Sequence, residues 1–205
     1  MKSKSSSYWD NVYSAKQPHE LSWTQDLPKT SLDFIHSYNL GKTASIIDIG
    51  GGDSKLVDLL INEGYQNITV LDISGVAIAR AKKRLGTNAN KVKWIVSDIT
   101  RFEPKESYDV WHDRATFHFL TEPNLISSYI NLAKSFITHY LIIGTFSDKG
   151  PDKCSGLSTM KYSALELEKR VSDGFTKIRC IQEDHVTPFN TIQNFTFCSF
   201  KKTDS

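Results

Sequence analysis

The 205-residue sequence contains no apolar stretch approaching the roughly 20 residues of a membrane helix, so no membrane association is expected. Cysteine is scarce. Cys154, Cys180 and Cys198 are odd in number and far apart, without the short paired spacings of a zinc site. Neither a bound metal nor a disulfide framework is expected, and a reducing, cytoplasmic setting is the default. An excess of one charge is missing too: 25 Lys and Arg against 23 Asp and Glu leave +2, which is no strong footprint for nucleic acid. The basic start MKSKSSS has no apolar segment behind it and is not a signal peptide; residues 1–7 are expected to be disordered. Internal repeats and low-complexity tracts are absent. Gly41-Lys42-Thr43 looks like the end of a phosphate-binding P-loop, but the upstream glycine position holds His36, which excludes one.

What is present centres on residues 46–54, IIDIGGGDS. Apolar β-formers run into Asp48, then Gly50, Gly51 and Gly52, and a helical pattern follows. Glycine tolerates positive φ and lets the backbone approach a ligand closely. The helix start behind it offers unpaired N–H groups and a partial positive charge. This is a nucleotide cradle. It is not the dinucleotide fingerprint, because the third glycine position is Lys55. Two further strand-like runs end in acids: residues 68–74, ITVLDIS, with Asp72, and residues 92–99, VKWIVSDI, with Asp98. Asp72 stands about 20 residues past the turn, the distance at which a second-strand acid reaches a ribose diol.

With these residues in view, the sequence over roughly residues 9–200 resembles the class I S-adenosylmethionine (SAM)-dependent methyltransferases. The resemblance implies that Asp48, Gly50 and Gly52 hold the methionine end of S-adenosyl-L-methionine. Asp72 would bind the ribose hydroxyls, and Asp98 the adenine amine, with Ile73 and Ile99 beside them. It implies an α/β, doubly wound, Rossmann-like sheet, mostly parallel with an antiparallel C-terminal strand, in the order 3-2-1-4-5-7-6.

The residue pattern is consistent with that fold. Strands are expected at 45–49, 67–71, 92–96, 108–112 and 140–144, alternating with helical patterns, which means parallel pairing. Ser74 is a plausible N-cap for a helix ending in Lys82, Lys83 and Arg84 before Gly86, a basic cluster suited to a helix C-terminus. Ser163 and Glu166 form a capping-box pattern. Residues 176–181 and 195–200 then read as two strands joined by a link too short for a crossover, so they should pair antiparallel. One domain is expected: a lid segment at 1–40, with Trp23 near the cofactor, a SAM-binding core at 41–145, and a substrate-side loop, helix and strand pair at 146–205.

The chemistry is expected on the loops leaving strands four and five. HDRATFHFLTE, residues 112–122, carries Asp113, to sit beside the SAM sulfonium or orient the nucleophile, and His118, which with His185 is a candidate general base. Arg114, the pocket-wall Phe117, Cys154 in the second long loop and His185 are the substrate-binding candidates. The string Asp113-Arg114-Ala115-Thr116-Phe117 resembles the same point of thiopurine methyltransferase-type enzymes and elongation-factor lysine methyltransferases. No D-P-P-[YF] tetrapeptide follows strand four, which lowers a DNA-amine reading. The acceptor is expected to be a small molecule or a protein lysine. The rival class is a SAM-binding regulatory or scaffold protein without turnover. Nothing in the pattern bears on oligomeric state.

Overall fold

The computed structural model describes residues 6–203. Helix α1 (Ser6–Ala15) leads through a 3-10 turn at Pro18–Glu20 to α2 (Lys29–His36). Ser6 and Ser7 open α1, contrary to the expected disorder there; residues 1–5 lie outside the described residues. The winding begins with β1 (Ser45–Ile49), α3 (Leu56–Asn62), β2 (Asn67–Asp72), α4 (Gly75–Leu85) and β3 (Val92–Val96). It continues with β4 (Tyr108–Arg114), α5 (Pro123–Phe136) and β5 (Ile137–Phe146). A small hairpin, β6 (Lys153–Cys154) and β7 (Leu157–Ser158), sits in the next loop, before α6 (Ala164–Val171), β8 (Phe175–Val186) and β9 (Ile192–Lys202).

The main sheet runs β3-β2-β1-β4-β5-β9-β8. β1 to β5 are parallel, β9 is antiparallel to β5, and β8 is antiparallel to β9. With the two-residue strands of the small hairpin left out of the count, this is the expected order. The reason lies in the strands themselves. Parallel strands covered on both sides carry apolar residues at successive positions. In β1, Ile46 faces α2 and α3 with Ile68, Val70, Val110 and Ile142. Ile47 and Ile49 face α5 and α6 with Trp111, Leu141 and Ile143. Each such buried side chain contributes about 1.5–3 kcal/mol.

Of the boundaries that differ from expectation, three matter for the site. β4 runs two residues further, so Asp113 and Arg114 belong to the strand rather than to a loop. The helical pattern expected directly after the glycines becomes helix only at Leu56, which lengthens the glycine turn. The expected link between the last two strands is itself strand up to a turn in which Thr187 Oγ1 accepts the N–H groups of Phe189 and Thr191.

The cysteine expectation is also corrected. Cys180 and Cys198 are 18 residues apart in sequence but directly opposite in the β8–β9 register, with Cα atoms 4.1 Å apart, and they form a disulfide. A hairpin brings together what spacing alone leaves apart. Cys154 is free and buried.

Candidate active site

A cavity of about 450 Å³ opens at the carboxyl ends of β1 to β4. Its floor is the glycine turn. Gly50 and Gly51 both donate their N–H to the Leu71 carbonyl, at 2.7 and 3.2 Å, which ties the turn to the end of β2. A Cβ on Gly51 would stand 2.5 Å from Asp48 Oδ2 and 3.0 Å from Val70 Cγ1. Gly52 has φ +42°, and a Cβ there would come within 2.7 Å of Asp72 Oδ2 and 3.0 Å of the Tyr13 hydroxyl. Only glycine allows the backbone this near the two acids. The turn is braced from α4: Arg84 Nη1 donates to the Asp53 carbonyl at 3.0 Å and Nη2 to the Ser54 carbonyl at 2.9 Å, while Nε and Nη2 also bind Asp58. The basic end of that helix therefore does more than complement its dipole.

The acids converge as the strand endings suggested. Asp48 Oδ1 lies 2.7 Å from His112 Nδ1, and His112 Nε2 lies 2.9 Å from Ser31 Oγ, a buried chain from β1 through β4 to α2. Asp72, 5% exposed, accepts the Ser74 N–H at 2.7 Å. Burial pushes its carboxyl up to about 7, with the nearby charges of Asp48 and Asp10 adding and the Ser74 N–H opposing. Asp98 accepts the Thr100 N–H at 2.9 Å and hydroxyl at 2.8 Å, capping the 3-10 turn at Ile99–Arg101.

The N-terminal segment covers the opening. Trp9, Tyr13, Leu21 and Trp23 line the cavity. Their rings interlock edge to face, Trp9–Trp23 at 5.9 Å, Tyr13–Trp23 at 6.0 Å and Trp9–Phe119 at 5.2 Å. Asp10 pins this cover to α4, accepting the Ser74 hydroxyl at 2.7 Å and the Val76 N–H at 3.1 Å. The far end of the cavity is walled by Phe119, Phe146, Phe195, Gln193, Arg114 and Cys154.

Of the residues expected at the site, Trp23, Asp48, Gly50, Asp72, Ile73, Asp98, Ile99, Arg114 and Cys154 all line this one cavity, and Gly52 lies in the same turn. Four others are placed elsewhere. Asp113 is fully buried on the opposite face of the sheet. Its Oδ1 accepts the N–H groups of Thr116 and Phe117 at 3.0 and 3.1 Å, and its Oδ2 accepts the Tyr129 hydroxyl at 2.7 Å. It folds the turn after β4 instead of touching the crevice. Burial lifts its carboxyl to about 6.

His118 is likewise fully buried, stacked on Phe146 at 4.2 Å, with neither ring nitrogen partnered. Burial, helped by the Arg114 charge, drives its pKa down to about 3, so it stays neutral. Phe117 packs in the core between Tyr129 and Tyr162, at 5.0 and 5.3 Å. His185 faces a separate depression and lies 2.7 Å from the Ser22 carbonyl through Nε2. Cys154 lines the cavity, but burial raises its thiol pKa rather than activating it.

Tyr13, Ser31, His112, Phe146, Gln193 and Phe195 line the cavity without having been singled out. Period-2 alternation of β4 from Arg114 points back to His112. The others come from distant segments and carry no local signal.

The sheet order, five parallel strands closed by an antiparallel pair, is that of the Rossmann-like methyltransferase fold. Residues 46–135, from β1 almost to the end of α5, match a family model described as a methyltransferase domain. Among curated proteins, the mouse eEF1A lysine and N-terminal methyltransferase is 28% identical over 113 residues, 55% of this chain and 16% of that one. Malonyl-[acyl-carrier protein] O-methyltransferase 2 of Ilyobacter polytropus is 28% identical over 155 residues, 69% of this chain and 58% of that one. The chain thus spans about a sixth and somewhat over half of these two relatives. Among solved structures, the N-methyltransferase NodS from Bradyrhizobium japonicum WM9, in complex with S-adenosyl-L-homocysteine, superposes with a TM-score of 0.73 at 15% identity, over 98% of this chain and 100% of that one. A structure described for the conversion of a disulfide bond into a thioacetal group during echinomycin biosynthesis gives 0.76 at 17% identity, covering 96% and 92%. At these identities the structural likeness is one of fold. No described helix is long and apolar enough to cross a membrane.

Proposed function

We propose that the chain binds S-adenosylmethionine in this crevice and transfers its methyl group to a small-molecule acceptor, or to a lysine of a protein. The observation that carries the reading is the convergence of the glycine turn, Asp72 and Asp98 in one cavity at the sheet's carboxyl edge. The cradle fits the cofactor: the side-chain-free backbone of Gly50 and Gly51 lines the cavity beside Asp48 and Asp72. Asp72 would accept the ribose hydroxyls, Asp98 would face the adenine, and the turn would hold the methionine end. When bound, the sulfonium supplies an already activated methyl group. What remains for the protein is alignment and exclusion of water. Trp9, Trp23 and Phe119 roof the crevice and Phe146 and Phe195 close its far end, which favours a small acceptor over a folded protein surface. The methyltransferase-domain match and the methyltransferases among the relatives support turnover over mere binding.

Thermal unfolding with SAM, with its demethylated product and with NAD tests the cofactor. A ligand at a hundred times its Kd stabilises the native state by about 2.7 kcal/mol, so the first two should raise Tm and NAD should not. Stabilisation by NAD alone would overturn the reading. Radiolabelled SAM incubated with a cell extract then separates the acceptors: label in small molecules, label in a protein band, or none, the last pointing to a binding protein without turnover.

A further inference from the structure

The acceptor end of the crevice holds a half-buried cation whose two innermost N–H groups have unfinished hydrogen bonds. Arg114 ends β4 and lines the cavity. Its Nη1 donates to the Trp23 carbonyl at 2.9 Å. Its Nε and Nη2 are buried and have no partner. Among the described residues no carboxylate lies within ion-pair distance of it. Two acids act on its charge without bonding to it: Glu183 on β8, whose buried Oε2 has no partner of its own, and Asp48, which is bonded to His112. Burial pulls the guanidinium pKa down only to about 10, so it is charged at neutral pH. An ionised group left unpaired in a low-dielectric site is costly unless a ligand completes it.

We propose that the methyl acceptor carries a carboxylate, and that Arg114 Nε and Nη2 are the donors that bind it. These two N–H groups are the adjacent pair that a carboxylate meets with two parallel hydrogen bonds. Gln193 lines the same wall with its amide oxygen unpartnered, and by turning its NH₂ inward it offers a further donor to one carboxylate oxygen. The remaining walls are aromatic. Phe195 lies 5.1 Å from the guanidinium, and Phe119, Phe146 and Trp23 surround the space beside it. The matching acceptor is therefore a flat or apolar body with an anionic end. A carboxylate held by a guanidinium is a poor nucleophile, so the paired carboxylate is a handle for recognition, and methyl transfer goes to another atom of the acceptor. A neutral isostere would leave the buried N–H groups unpaired, which is where discrimination arises.

This inference rests on the methyltransferase reading, but its test separates the two. Benzoate and benzamide, equal in shape and different in charge, are titrated by NMR into protein saturated with S-adenosylhomocysteine. Benzoate is expected to bind at least tenfold more tightly than benzamide. Arg114→Met should erase that difference and Arg114→Lys should keep part of it, while affinity for S-adenosylhomocysteine moves less than threefold in both. Equal binding of the two probes to the wild type would overturn the proposal. So would a tenfold or greater loss of S-adenosylhomocysteine affinity in Arg114→Met or Arg114→Lys, since the guanidinium would then belong to the cofactor's own carboxylate. If S-adenosylhomocysteine fails to bind the wild type, the cofactor reading falls, and the same titration on the unliganded protein still decides the role of Arg114.

Discussion

The two ends of the crevice are built in different ways. The nucleoside end is made from consecutive strand endings of β1, β2 and β3, each placing one acid within a few residues of its own turn or cap: Asp48 before the glycines, Asp72 on the Ser74 N–H, Asp98 on Thr100. The end proposed for the acceptor is assembled from β4, the loop after β5, β9 and the N-terminal cover, whose residues range from Trp9 to Phe195. The first is a local device that any chain with this winding order can form. The second exists only when the whole sheet is closed, and it is there that two N–H groups of Arg114, Nε and Nη2, are left without partners. The difference teaches that chemistry along β4 is sorted by strand face. His112 and Arg114 point to the crevice, and Asp113 between them points into the opposite core.

The sharpest way to break this comparison is Asp113→Ala. The variant leaves two backbone N–H groups and the Tyr129 hydroxyl without their buried acceptor. At about 1–3 kcal/mol per unsatisfied group, a destabilisation of at least about 3 kcal/mol is expected in urea unfolding. SAM affinity of the folded protein should stay near wild type. A variant of normal stability that loses turnover would return Asp113 to the catalytic side.

Asp72→Asn tests the other end, and the expectation has two opposite parts. The carboxyl is held at about 7 in the folded chain against 3.8 as its ordinary value. Between those values the unfolded chain is ionised and the folded one protonated, so stability falls as pH rises through that window. At about 1.4 kcal/mol per unit, Asn should recover roughly 2–4 kcal/mol at pH 8. The same change should weaken SAM roughly ten- to a hundredfold, because a charged hydrogen bond contributes about 1.5–3 kcal/mol. Calorimetry and thermal unfolding on one variant check both. A gain in SAM affinity would contradict the assignment to the ribose.

The wild type offers a milder version of that test. Ribose hydroxyls favour the carboxylate over the acid. SAM affinity should therefore fall up to tenfold per pH unit below about 7 and level off above it. A flat profile between pH 5.5 and 8 would place the ribose away from Asp72.

The smallest effect at neutral pH is expected from His118→Leu. The histidine is neutral, buried and unpartnered, so the change should shift stability by less than about 1 kcal/mol at pH 8. Its folded pKa of about 3 lies below the ordinary 6.5. The unfolded wild type therefore gains a proton first on acidification, and wild-type stability falls below pH 6.5. The Leu variant should gain on it by about 1.4 kcal/mol per pH unit there. A loss of turnover by a hundredfold or more at neutral pH would show a general base after all.

The sequence by itself determined the strands, their alternation with helices and the glycine-turn cradle; the sheet order came with the family resemblance. Strands with apolar residues at successive positions, helical periodicity between them, the residue 50–52 glycine turn and the caps at Ser74 and Ser163 are short-range signals, and short-range sterics and hydrogen bonds decide them. Ending β4 at residue 112 hid the alternation that assigns Asp113 to the core and Arg114 to the crevice. The stacking of His118 on Phe146 and the Cys180–Cys198 pairing were decided by tertiary structure alone. So was the closing of the crevice by Trp9 and Trp23. Each depends on which distant segments the closed sheet brings face to face, and burial and partner count, the quantities that set a side chain's charge and reach, do not exist until it closes.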